Sequence, residues 1–117
     1  GTPDGNGGTG FRHPVTCEFF SGGGGGYPLS TSELKNGYGG SGGGGNSRSG
    51  TGVGSNGSAN TGGGAGAGKG GESYTSNGGS GIVILSYLGS PRGTGGTISS
   101  VDGYTVHKFT TSGDYIG

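Results

Sequence analysis

Gly39-Gly40-Ser41-Gly42-Gly43-Gly44-Gly45-Asn46 opens a low-complexity tract that runs on to Gly81 and mixes glycine with Ser, Asn, Thr and Ala. Two physical states compete for such a tract. Gly/Ser-rich chain normally behaves as a flexible linker. The alternative is a set of packed polyproline II strands, left-handed with three residues per turn, in which glycine lets neighbouring backbones touch. The glycines cluster in runs instead of alternating with serine, and Val53, Tyr74 and the alanines punctuate them. We therefore expect order. Strict Gly-X-Y register is absent, which excludes a collagen triple helix.

The rest of the chain carries the same bias. Glycine supplies 38 of 117 residues and the hydrophobic set only 23%, against ~7% and ~45–50% in an average globular protein. One domain is the most this length allows, and an ordinary apolar core is out of reach. Each ordered glycine also loses more backbone freedom than alanine, by ~0.5–1 kcal/mol. Main-chain hydrogen bonding, close backbone approach and neighbouring copies of the chain are expected to offset that loss.

Outside the tract, Val15-Thr16-Cys17-Glu18-Phe19-Phe20 reads as a first strand, stopped by the run from Gly22 to Gly26. Residues 29–34 form a weak amphipathic patch that permits one helical turn. Gly81-Ile82-Val83-Ile84-Leu85-Ser86-Tyr87 gives the best strand, over 82–88, and its four consecutive apolar residues imply burial on both faces. A further strand spans 104–111, with Tyr104 and Val106 on one face and Thr105, His107 and Phe109 on the other. Tyr115-Ile116 reads as the start of another strand. The fold class is all-β and irregular, with few or no helices and a glycine-rich body of extended or polyproline II segments. The expected divisions are a β/turn segment over 1–36, a glycine-rich body over 37–88 ending in a buried strand, and a β segment over 89–117.

Little in the sequence points to chemistry. Six Lys/Arg balance six Asp/Glu, which gives no clustered basic footprint for nucleic acid. No apolar stretch reaches the ~18–20 residues of a membrane span, and no basic-then-apolar leader is present. Gly63 to Gly70 matches GxxxxGK with Lys69, but Gly70 stands where a phosphate loop needs Ser or Thr. Gly78-Gly79-Ser80-Gly81-Ile82-Val83 lacks the aspartate of a calcium-binding nonapeptide. His13 and His107 have no Cys or carboxylate cluster beside them, and Cys17 is the only cysteine. We expect no catalytic residue, no cofactor and no metal. Asn56-Gly57-Ser58 fits an N-glycosylation sequon. The start at Gly1 and the lack of methionine suggest processing or a fragment.

Asn60-Thr61-Gly62-Gly63-Gly64, followed by Gly78-Gly79-Ser80-Gly81-Ile82-Val83-Ile84-Leu85-Ser86-Tyr87, resembles the end of a glycine-rich domain of phage tail-fibre and appendage proteins and related bacterial surface proteins. Gly95-Gly96-Thr97-Ile98 and Gly103 to Gly113 resemble the start of a further such unit. The resemblance covers about residues 37–117. It implies an extracellular or virion location and a structural or adhesive role, with other copies of the chain or other fibre and virion proteins as partners.

On this reading Gly43 and Gly63 are close-packing points of assembly, and Ile82, Val83, Ile84 and Leu85 form a packed strand. Tyr27, Tyr38 and Tyr74, set on glycine loops, are candidates for contact with a host receptor or glycan, because aromatics give large contact area at small entropic cost. The leading expectation is a structural segment of a fibre, and the alternative is a receptor-binding adhesin. A secreted glycine-rich or ice-binding protein is a third, for which the flat, periodic Thr/Ala rows are missing.

Overall fold

A chain with few apolar side chains must satisfy its backbone polar groups largely with one another. A computed structural model describes residues 5–27, 37–48, 52–68 and 76–117 and shows how this is done. Gly22 and Gly25 donate to the carbonyls of Gly42 and Gly45, both at 2.9 Å. Gly64 and Ala67 donate to Gly22 and Gly25 at 2.8 and 2.9 Å, and Gly45 and Arg48 to Gly64 and Ala67 at 2.9 and 3.1 Å. Each step advances both segments by three residues, the repeat of polyproline II.

Segments 5–10, 22–26, 61–67 and 76–80 lie side by side in one layer, joined by Gly23 N to Gly8 O, Gly64 N to Gly22 O and Gly79 N to Gly63 O. Segments 37–41, 42–48 and 53–58 form a second layer, joined by Gly44 N to Gly40 O and Ser55 N to Asn46 O. Gly40 N to Gly23 O, Gly45 N to Gly64 O and Gly66 N to Ser55 O bind the layers together. The chain runs up and down through them in alternation. The Cα atoms extend 57 × 31 × 12 Å, so the molecule is thin.

Close approach explains many of the glycines of the body. A Cβ added at Gly24, Gly40 or Gly66 would overlap the carbonyl oxygen of Ala65, Gly8 or Asn46. Polar side chains complete the lattice by standing in for backbone acceptors. Asn6 Oδ1 accepts from Tyr38 N at 2.9 Å, Asn46 Oδ1 from Gly39 N at 2.8 Å and Asn56 Oδ1 from Asn77 N at 2.9 Å. Ser47 Oγ, buried, accepts from Gly37 N at 2.7 Å.

Two small antiparallel sheets complete the fold, and no helix occurs among the described residues. Strands β1 (Phe11–Arg12) and β2 (Phe19–Phe20) pair with Phe11 opposite Phe20. The strand expected over 15–20 is corrected to the second arm of this hairpin. Pro14, Val15 and Thr16 form a turn there, and Cys17 follows it in a left-handed conformation at φ 60°. His13 Nδ1 accepts from Val15 N and Thr16 N at 3.3 and 3.2 Å, which closes the turn.

The second sheet has the order β3 (Val83–Leu88), β5 (Tyr104–Phe109), β4 (Thr97–Val101). Asp102 and Gly103, at φ 46° and 80°, make the two-residue loop between β4 and β5. Two consecutive positive φ values define a type I′ turn, whose twist matches the flanking strands. As the central strand, β5 buries Thr105, Val106 and His107 completely.

Several expectations change. The apolar run at 82–85 is not buried on both faces: Ile82 and Ile84 are half-buried, but Val83 is 64% and Leu85 37% exposed. β3 is an edge strand, and its Val83, Leu85 and Leu88 are exposed. The strand expected over 104–111 stops at Phe109, while the polar β4 was not anticipated. Ile116 forms a single antiparallel bridge with Thr94. Backbone bonds join segment 5–27 to segments 37–48 and 61–67, and β3 to β5. Among the described residues of the glycine body, backbone donors pair with carbonyls of the same chain, without a neighbouring copy. The amphipathic patch at 29–34, Lys69 and Tyr74 lie outside the described residues.

Candidate functional site

The up-and-down path gives the glycine body two unlike ends. At one end the chain turns tightly, through the β1–β2 hairpin and through turns at 41–43 and 59–62. Gly43 and Gly63 meet here. Gly63 has no room for a Cβ because the Gly43 carbonyl oxygen occupies the position, and Gly43, at φ 89°, faces the Thr61 side chain. Gly43 O accepts from Ser58 N, and Gly63 O from Gly79 N, both at 2.8 Å. Thr61 Oγ1 donates to Ser58 O at 2.7 Å and accepts from Gly63 N at 3.0 Å.

The second sheet is mounted on this turn end. His13, Phe20, Thr61, Ile82 and Ile84 line a recess between hairpin and sheet. Lys108 Nζ on β5 reaches Glu18 on the hairpin at 2.5 Å. That hydrogen bond from Lys108 holds the Glu18 carboxyl below its ordinary value against a small opposing effect of burial.

At the opposite end, Gly26 N bonds Gly5 O, Ser47 N bonds Gly37 O, Arg48 N bonds Ala67 O, and Ser76 Oγ donates to Gly66 O. Tyr27 and Tyr38 stand at this end. Tyr27 is half-buried and Tyr38 is 59% exposed, with its backbone pinned by Asn6 and Gly7. Of the three tyrosines expected to make contacts, the structure brings these two to one end; Tyr74 lies outside the described residues.

The most organised polar cluster belongs to the sheet. His107 Nδ1 is 2.8 Å from Gly95 O and Nε2 is 2.9 Å from the Tyr87 hydroxyl, which accepts from Arg92 N at 2.9 Å. A carbonyl only accepts, so Nδ1 carries a proton, and in the neutral ring Nε2 then accepts from the Tyr87 hydroxyl. Tyr115 meets the imidazole edge-on at 5.1 Å, and the Arg92 guanidinium lies 4.6 Å from the Tyr87 ring centroid. Both imidazole nitrogens are engaged, with Gly95 O of the 89–96 loop and with the Tyr87 hydroxyl that also accepts from Arg92 N, while the ring edge contact with Tyr115 meets the C-terminal segment. The sequence placed His107 on a strand face but gave no sign of Arg92 or Gly95, whose roles depend on a loop path.

Among the described residues no group of three His, Cys, Asp or Glu side chains is placed to hold a metal ion, and no helix is long and apolar enough to cross a membrane. Cys17 is exposed in its turn. Comparison with family models, with curated proteins and with solved structures finds no match to this chain.

Proposed function

We propose that this chain is a non-enzymatic structural segment of an extracellular or virion fibre, acting as a stiff glycine-packed body that carries a small β-sheet unit at one end. The supporting observation is the three-residue hydrogen-bond repeat that binds two layers of extended chain without an apolar core. Rigidity of this kind comes from many short backbone bonds between segments that cannot slide, because carbonyl oxygens fill the places where Cβ atoms would sit. Its partners on this reading are other copies of the chain or other fibre proteins.

The second reading, a host-receptor adhesin, draws on the placing of Tyr27 and Tyr38 at the end opposite the sheet. Immunogold electron microscopy of the source particles or cells separates the two. Label along an appendage shaft supports the structural segment. Label confined to a tip, with cell binding by the isolated chain, replaces it with the adhesin. Label on no appendage overturns both.

A further inference from the structure

Segments 5–10 and 76–82 are the two outer members of the four-segment layer, and both run toward the turn end. Their sequences match: Asn6-Gly7-Gly8-Thr9-Gly10-Phe11 against Asn77-Gly78-Gly79-Ser80-Gly81-Ile82. Nothing lies within 4 Å of where a Cβ would sit on Gly8 or on Gly81, so each edge faces open space near the turn end. The edges differ in what they present. The first ends in a projection, Phe11, whose side chain is 65% exposed. The second ends in a depression: Gly81, Ile82, Val83, Phe109, Gly113 and Tyr115 line an open groove of about 640 Å³. Its wall is largely apolar, and Val83 and Tyr115 are otherwise solvent-exposed.

Charge distinguishes the two edges in the same sense. Arg12 follows Phe11 and is exposed; Asp114 stands between Gly113 and Tyr115 at the groove rim and is exposed. Neither forms an ion pair among the described residues. We propose that the groove is the docking site for the Phe11-Arg12 arm of a second copy of this chain, with Phe11 over Val83 and Phe109 and Arg12 facing Asp114. The choice of a second copy rests on the assembly reading above. A side-by-side shift of one copy brings the projecting edge of one to the hollow edge of the next at the same end of the body. Such a contact joins unlike surfaces, so it builds rings or open rows instead of a two-fold dimer. Opposite charges at the rim fix register and partner choice more than affinity.

Sedimentation velocity of the full chain over a wide concentration range tests this, alongside Phe11→Ser, Asp114→Arg and the double variant Arg12→Asp/Asp114→Arg. Far-ultraviolet circular dichroism and thermal midpoint check that each variant folds as the parent does. The expected result is concentration-dependent association, weakened about tenfold or more by Phe11→Ser or Asp114→Arg and regained in the charge-swapped double variant. Association that neither single variant weakens overturns the groove while leaving self-assembly standing. A swap that fails to recover it overturns the Arg12–Asp114 pairing. A chain that stays monomeric throughout overturns both the groove and self-assembly.

Discussion

The Tyr87 hydroxyl lies 2.9 Å from His107 Nε2 although the two residues are not cross-strand partners: Tyr87 pairs with Thr105, and His107 with Leu85. The bond runs diagonally across β3 and β5, a reach that long side chains on one sheet face allow. It ends on a fully buried ring whose other nitrogen is committed to Gly95. With so small an apolar core, this bond and the loop it secures carry a large share of the sheet's definition.

Tyr87→Phe removes the hydroxyl and strands His107 Nε2 on its buried ring, whereas the exposed Arg92 N can turn to solvent. An unsatisfied buried polar group costs about 1–3 kcal/mol. The expected loss in urea unfolding falls in that range. Tyr104→Phe serves as the control, since its partly exposed hydroxyl has no partner among the described residues, and should stay within about 0.5 kcal/mol of the parent. Equal stability of Tyr87→Phe and the parent would remove the cluster from any structural role.

Glycine content alone does not say which glycines matter, but the lattice does. Gly63→Val places a branched side chain where the Gly43 carbonyl oxygen sits, and backbone on both sides must move. Loss at or above the ~1–3 kcal/mol typical of overpacking is expected, with broadened amide spectra for 41–45 and 61–66. Gly8→Ala meets open space, so it should be neutral or, by restricting the unfolded chain, stabilising by up to ~1 kcal/mol. Similar destabilisation by both variants would mean that close approach does not set the glycine requirement.

The contrast between these positions also shows what was legible in the sequence. The short strand patterns and the glycine-rich composition together point to an all-β, irregular fold, and the clustering of glycines into runs points to an ordered, extended body in which backbone groups satisfy one another. Composition does not say whether backbone pairs within a chain or between chains. That depends on turns at 41–43 and 59–62, each too short and too generic to stand out. Asp102-Gly103 is a hairpin signal present in the sequence, and it locates β4 once Thr97–Val101 is accepted as a strand despite its serines. The run Ile82 to Leu85 misleads for a physical reason. Continuous apolar strands are buried when layers cover both faces, and here one face of an edge strand lies open beside the groove.

Acid should loosen the joint between hairpin and sheet. The Glu18 carboxyl is held below its ordinary value of 4.5, chiefly by the hydrogen bond from Lys108. A depressed carboxylate contributes stability that is present above the unfolded value and lost as pH falls through the folded one. Both side chains are substantially exposed, at 49% for Glu18 and 30% for Lys108, so the contribution is ~0–1 kcal/mol and shrinks with salt. Urea unfolding at a series of pH values spanning the carboxylate range should show an acid-side decline that Glu18→Gln reduces. An identical decline in that variant would assign the acid sensitivity elsewhere.

Hydrogen exchange decides whether the body is a finished unit before any copy meets another. The amides of Gly22, Gly25, Gly45, Gly64, Gly66 and Ala67 all donate to carbonyls of the same chain, in rows that advance three residues at a time. Exchange through such a lattice requires separating neighbouring segments, because no single bond opens without shifting carbonyls packed against adjacent glycines. Protection over 37–48 and 53–67 should therefore be strong and equal at low and high protein concentration. Protection that appears only at high concentration would mean that the pairing seen within one chain forms between chains in solution. Equal protection would place assembly after folding and leave surface features such as Phe11 and the Val83–Phe109 groove to govern it. In that case Gly63→Val should fail by unfolding the monomer, whereas Phe11→Ser should fail to associate with its monomer intact.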